Sequence, residues 1–128
     1  MLVDDDAEFA ATLADSLVAR GVEVQVAHDG ASALRFLDEG YVPDVIVCDL
    51  MMPGMDGWTF CAERERIPAL ARIPIVLISA NPDVSSLGKL AGIPALVKPF
   101  AVEMLLTLVE HARRVVSGRF EKRGPSDK

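Results

Sequence analysis

The sequence predicts a three-layer α/β fold in which a five-stranded parallel sheet is doubly wound, with helices on both faces. Two observations predict it. Short apolar runs alternate five times with segments of helical period along the 128 residues, and strand-helix alternation of this kind implies right-handed crossovers that place helices on both faces. The segments at 44–49 and 73–79 are continuous runs rich in β-branched residues, as strands covered on both sides are.

Each element has its own warrant. Met1-Leu2-Val3 is a short apolar start stopped by Asp4-Asp5-Asp6. Phe9, Leu13 and Leu17 then recur every four residues, with Asp6 as the cap and Gly21 placed to end the helix. Val22, Val24 and Val26 alternate with Glu23 and Gln25, the mark of a strand with one wetter face. A helix over 29–39 turns Leu34 and Leu37 inward and stops before Gly40. After the strand at 44–49, the turn Pro53-Gly54-Met55-Asp56-Gly57 opens a helix over 58–66. The strand at 73–79, a short helix near 83–90, a strand at 95–98 and a long helix at 101–116 complete five units.

A chain of 128 residues and 13.8 kDa is one domain, expected over 1–118, with 119–128 as a polar tail that is either a solvated end or the start of a linker. With 51% hydrophobic and 25% charged residues it can bury a core, which excludes general disorder. No apolar run approaches the roughly 18 residues of a membrane span. The opening MLVDDD has neither the basic nor the apolar stretch of a secretory signal, and two cysteines cannot build a disulfide framework. A reducing cytoplasm is therefore the expected compartment. Residues 1–60 carry twelve acids against two bases, and 61–128 seven against eleven, within a net charge of −6. Such a chain lacks the basic footprint of direct nucleic-acid binding; its acidic half suits a cation.

In parallel sheets of this kind ligands bind beyond the carboxyl ends of the strands. Asp4 and Asp5 end the first strand, Asp49 the third, Ser79 the fourth and Lys98 the fifth. Singly, each has an ordinary role as helix cap or solvated side chain. Together they mark one edge, with Asp6 left as a cap. Were Asp4, Asp5 and Asp49 to converge to about 4 Å, each pair would repel by roughly 4 kcal/mol, and three pairs by on the order of 10 kcal/mol. That rivals the stability of a whole domain, so the cluster requires a cation. All-oxygen ligands suit a hard ion such as Mg²⁺. Zinc is disfavoured, because His28 and His111 have no ligand spacing and Cys48 should point to the opposite face from Asp49. An EF-hand is disfavoured because 49–57 lacks that loop's ligand alternation. A carboxylate beside a hard metal, an ammonium and a hydroxyl suits phosphoryl acceptance, with Asp49 as in-line nucleophile.

Leu2-Val3-Asp4-Asp5-Asp6, the run Asp49-Leu50-Met51-Met52-Pro53-Gly54-Met55-Asp56-Gly57, Ser79-Ala80 and Lys98-Pro99-Phe100 span about residues 1–117. This ordered set resembles the receiver domain of two-component response regulators, a flavodoxin-like fold. The resemblance implies that Asp49 is the phosphoacceptor and that Mg²⁺ is bound by Asp5 directly, by Asp4 mainly through water, by Asp49, and by the backbone carbonyl of Met51. It implies that Lys98 pairs with the phosphoryl group, that Ser79 hydrogen-bonds it, and that the Lys98-Pro99 bond is cis, an isomer essentially confined to proline. The donor would be a histidine kinase or a phosphotransfer protein. The chain would be a signalling domain rather than a turnover enzyme, and a downstream protein would dock on the face made by the helix at 83–90, the strand at 95–98 and the final helix.

The sequence also departs from the family pattern. Many receivers carry Tyr or Phe three residues before the lysine, where this chain has Ala95. Gly88 weakens the helix that contains it and predicts local mobility. Met51 and Asn81 occupy positions that tune attack of water on the phosphoryl group, and an apolar Met51 predicts slow to moderate self-dephosphorylation. The final helix carries an apolar arc of about 200°, wider than packing on one side of a sheet needs. Either its flanks tuck under neighbouring helices, or it is a surface for a second copy of the chain or for a target. Ala95 and the short first strand leave open an alternative, an interaction module of the same fold in which phosphorylation plays no part. A Mg²⁺-dependent phosphohydrolase is disfavoured, because the length leaves no room for a cap domain or substrate pocket.

Overall fold

The computed structural model describes residues 1–122. Strands β1 (Leu2–Val3), β2 (Val26–Ala27), β3 (Ile46–Asp49), β4 (Ile75–Ser79) and β5 (Ala95–Val97) form one sheet in the order β2-β1-β3-β4-β5. Every pairing is parallel. Helices α1 (Ala7–Val18), α2 (Gly30–Asp38), α3 (Gly57–Glu65), α4 (Pro68–Ala71), α5 (Val84–Ala91) and α6 (Val102–Lys122) make the connections. The chain steps outward from β1 to β2, then back across to β3, β4 and β5. The order thus reverses between β1 and β3, and a crevice opens beyond their carboxyl ends.

Period-two alternation along the strands makes two cores. Val3, Ile46, Cys48, Ile75 and Leu77 face one side, against Ala33 and Leu37 of α2, Phe60 of α3 and Val84 of α5. Leu2, Val47, Val76 and Ile78 face the other, against Ala10, Leu13 and Leu17 of α1 and Leu105 and Ala112 of α6. Leu2, Leu77, Ile78 and Phe60 are fully buried, each contributing about 1.5–3 kcal/mol. Three helices start on an aspartate whose side chain accepts the N–H three residues on: Asp6 from Phe9, Asp29 from Ser32 and Asp56 from Thr59. Each cap is worth about 1 kcal/mol, and Asp6 is the cap that the sequence indicated.

The differences from the sequence reading have physical causes. The strand expected over Val22–Val26 pairs only at Val26–Ala27, because β2 is an edge strand and β1 offers it only Leu2 and Val3 as partners. The helix Pro68–Ala71 was not anticipated. It is a single turn, too short to show a period, and Arg64 secures it: the buried guanidinium donates through Nη1 to the carbonyls of Leu70, Ala71 and Ile73 at 3.2, 3.1 and 2.6 Å. The last helix runs to Lys122, past the boundary expected at 118, and residues 123–128 of the expected tail lie outside the described residues. Along its apolar arc Leu105 and Ala112 are buried and Leu106, Leu108 and Val109 pack partly, while Met104 and Val115 remain exposed. Most of the arc therefore tucks into the core beside α1. Among the described residues no helix is long and apolar enough to cross a membrane.

Gly88 is buried on the inner face of α5, where a Cβ would lie 2.6 Å from the Ile93 carbonyl oxygen and 2.9 Å from the Ala95 Cβ. Its small size thus has a packing reason: it lets α5 lie directly on β5.

Candidate functional site

Strand alternation decides which end residues meet. Leu2, Val47 and Leu96 all face the α1–α6 layer; two residues later, Asp4, Asp49 and Lys98 leave the sheet toward that same side. Parallel registry sets Val3 beside Cys48, so the two aspartates that follow lie at neighbouring strand ends.

Asp4 is fully buried. Its Oδ1 accepts the Asp6 N–H at 2.9 Å and its Oδ2 accepts a proton of the Lys98 ammonium at 2.7 Å. Asp49 is buried as well; its Oδ1 accepts the Met51 N–H at 3.3 Å, and its Oδ2 lies 3.5 Å from Lys98 Nζ. Asp5 is exposed, yet it completes the cluster: one carboxylate oxygen from each of Asp4, Asp5 and Asp49 lies within 4.8 Å of the others. The convergence expected from the strand ends is therefore present.

The charges do not balance. Three carboxylates face one ammonium, and burial pushes the Asp49 carboxyl up to about 6, helped by the Asp4 charge and opposed by Lys98 and the Met51 N–H. When all three are ionised, the residual charge of −2 matches one divalent cation, and a donor set made only of oxygen atoms fits a hard one. Mg²⁺ therefore fits the residues present.

The loop after β3 is held close to the acidic cluster. The Gly57 N–H donates to the Leu50 carbonyl at 2.9 Å, and a Cβ at Gly57 would lie 2.8 Å from Leu50 Cα and 2.9 Å from the Asp49 carbonyl oxygen. Only glycine permits this approach. The loop carries the Met51 backbone past Asp49, while the Met51 side chain is exposed.

Ser79 is buried at the end of β4, but its register follows Leu77 and Ile75, which face the opposite core from Asp4 and Asp49. Its Oγ accepts the Asn81 N–H at 3.1 Å, within its own turn. Asn81 is exposed and its Oδ1 accepts the Asp83 N–H at 2.9 Å. The backbone ties this turn to the lysine through Lys98 N–H on the Ser79 carbonyl at 2.8 Å, and the Lys98–Pro99 peptide is cis.

Two contributors escaped the sequence reading. Gly57 looked like an ordinary turn residue, though its place eight residues after Asp49 at the mouth of a helix was a usable signal. Phe9 read only as an inward helix position. In the structure its ring lies under Lys98, with Nζ 4.2 Å from the centroid, and it meets Phe100 edge-on at 6.2 Å between centroids.

Known proteins resemble this chain over most of its length. Residues 1–110 match the family described as the response regulator receiver domain. The response regulator MprA of Mycobacterium tuberculosis is 38% identical over 111 residues, covering 83% of this chain and 46% of that protein. The chain thus spans about half the length of the curated relatives it matches. Among solved structures, the Vibrio cholerae chemotaxis protein CheY4 superposes with a TM-score of 0.75 at 31% identity, covering 87% of this chain and 94% of that one. A candidate response regulator from Chloroflexus aurantiacus gives 0.79 at 34% identity, covering 88% and 94%.

Proposed function

This chain belongs to the response regulator receiver domain family of two-component signalling systems, and on that premise we propose that it accepts a phosphoryl group on Asp49 from the phosphohistidine of a histidine kinase or phosphotransfer protein. The observation that carries the proposal is the placing of Lys98 Nζ between Asp4 Oδ2 at 2.7 Å and Asp49 Oδ2 at 3.5 Å, with Asp5 closing the acidic cluster. An Asp49 carboxylate oxygen attacks phosphorus in line; the N–P bond of the donor breaks and its electron pair stays on the imidazole. Lys98 meets the negative charge that gathers on the phosphoryl oxygens, and once the group is on Asp49 the Ser79 hydroxyl hydrogen-bonds one of them. Asp4, Asp5, Asp49 and the Met51 carbonyl would hold Mg²⁺. When bound, that ion offsets carboxylate repulsion and polarises the phosphoryl group.

Phosphorylation adds close to two negative charges, and the turn from Ser79 to Asp83 draws toward them. The response reaches a downstream protein through α5, β5 and α6, where Leu87 and Leu90 of α5 and Met104 of α6 are exposed, Leu90 at 86%. A second copy of the chain is a further partner for this face. The two free, buried cysteines suit a reducing cytoplasm. A second reading, an interaction module indifferent to phosphorylation, draws support from the tight Gly88–Ala95 contact, which leaves no aromatic side chain to relay the change.

Intact mass after incubation with Mg²⁺ and phosphoramidate separates the two. The proposal expects a gain of one phosphoryl group that is absent from Asp49→Asn. An unchanged wild-type mass, with folding and metal binding verified, would favour the indifferent module.

A further inference from the structure

The Lys98 ammonium has a third neighbour that the acidic cluster does not account for. Its Nζ lies 4.2 Å from the centroid of the Phe9 ring, in the first turn of α1. Phe9 is itself braced edge-on by Phe100, two residues past the lysine, at an interplanar angle of 82°. The ammonium therefore has Asp4 at 2.7 Å, Asp49 at 3.5 Å and an aromatic face around it, and the Lys98 side chain is only 14% exposed.

We propose that Phe9 is a positioning residue for Lys98: its ring face takes the place of water on one side of the ammonium and holds the cation between the two buried carboxylates, aimed at the incoming phosphoryl group. This rests on the reading of Asp49 as the phosphoacceptor.

Lysine is a strongly hydrated point charge on a flexible stem, so nothing intrinsic to it fixes Nζ at one spot. The contact with Asp4 at 2.7 Å is shorter than that with Asp49 at 3.5 Å, so the ammonium leans toward Asp4, and the Phe9 ring is a third, uncharged partner beside the two carboxylates. An aromatic face attracts a desolvated cation through its quadrupole. An aliphatic side chain of similar size would exclude water yet exert no such pull. The ring is also smooth, so Nζ can slide from Asp4 toward a phosphoryl oxygen without being rehydrated on the way.

The test uses the full chain with Phe9→Leu, Phe9→Met and Phe9→Tyr, each first shown to melt cooperatively. The readouts are the rate of phosphoramidate labelling in Mg²⁺ and the NMR shifts of the Lys98 side-chain methylenes in the unphosphorylated protein. The Leu and Met variants are expected to label about three- to tenfold more slowly, and to lose the upfield ring-current shift of the Lys98 methylenes. The Tyr variant should keep both the rate and the shift. Equal labelling by wild type and Leu variant, a Tyr variant as slow as the Leu variant, or methylene shifts that do not respond would each overturn the role. A wild-type protein that shows the ring-current shift but never takes up a phosphoryl group would instead refute the acceptor reading and the catalytic part of this role with it.

Discussion

Gly88 of α5 and Ala95 of β5 approach so closely that a single added methyl collides: a Cβ on Gly88 would stand 2.9 Å from the Ala95 Cβ and 2.6 Å from the Ile93 carbonyl oxygen. The carbonyl of Gly88 in turn accepts the Ile93 N–H at 2.8 Å, so the helix cannot retreat without breaking the turn that ends it.

Gly88→Ala is accordingly expected to destabilise the protein by about 1–3 kcal/mol through overpacking, even though alanine favours helix by roughly 1 kcal/mol. The urea midpoint reads this directly. A variant as stable as wild type would show that α5 is not locked on β5.

Arg64 tests a different contact. Its Nη1 donates to three carbonyls in and just after α4, and among the described residues its Nε is the buried side-chain polar atom without a partner. Arg64→Met removes the donors: the Leu70 carbonyl keeps the Ile73 N–H at 3.0 Å, while those of Ala71 and Ile73 lose the guanidinium. A loss of about 2–3 kcal/mol is expected, again from urea unfolding, with the change in hydrogen exchange concentrated at residues 68–73. A neutral result would mean that water satisfies those carbonyls equally well.

Asp49 sets a pH dependence. Its carboxyl, ordinarily near 3.8, is raised to about 6 by burial and by Asp4, so the folded protein holds that proton more tightly than the unfolded chain does. The resulting stability is full below the unfolded value and is lost as pH climbs from about 4 to 6. In chelator, Asp49→Asn is therefore expected to flatten that decline and to stabilise the protein at pH 7.5 by on the order of 2 kcal/mol. Thermal melts at pH 5 and 7.5 check it; an Asn variant that gains nothing at the higher pH contradicts the assignment.

Ser79→Ala separates labelling from response. The hydroxyl is bonded to its own turn and not to the carboxylates, so labelling of Asp49 is expected to stay within about twofold of wild type. A charge-assisted hydrogen bond of roughly 1.5–3 kcal/mol biases a two-state loop by about ten- to a hundredfold. Phosphorylation should thus move the amide resonances of residues 79–84 far less in the variant. Loss of labelling would give Ser79 a different role.

What the sequence disclosed follows the same physical lines. Asp4, Asp49 and Lys98 were legible because each follows an apolar strand, and the period of two sends all three to one side. Ser79 was legible as a strand end, but its register, one residue out of step with that set, becomes visible only when Leu77 is seen to face the other core. Phe9 was hidden, since helical spacing marks it as inward without saying that Lys98 lies over its ring. Arg64 was hidden more deeply, because a charged residue near the end of a helix reads as solvated. β2 was overestimated, since its valine alternation is real but hydrogen bonding needs a neighbour that β1 supplies only at Leu2 and Val3. The family match itself needed no coordinates; the order of Asp4-Asp5-Asp6, Asp49, Ser79 and Lys98-Pro99 carried it.

The most direct test of the central claim is chemical localisation of the phosphoryl group. After labelling with phosphoramidate in Mg²⁺, borohydride reduces an aspartyl phosphate to homoserine, which peptide mass spectrometry places within the sequence. Homoserine is expected at position 49 alone, dependent on Mg²⁺. Conversion at Asp4 or Asp5, or at no aspartate in a protein that has gained the mass, would contradict it.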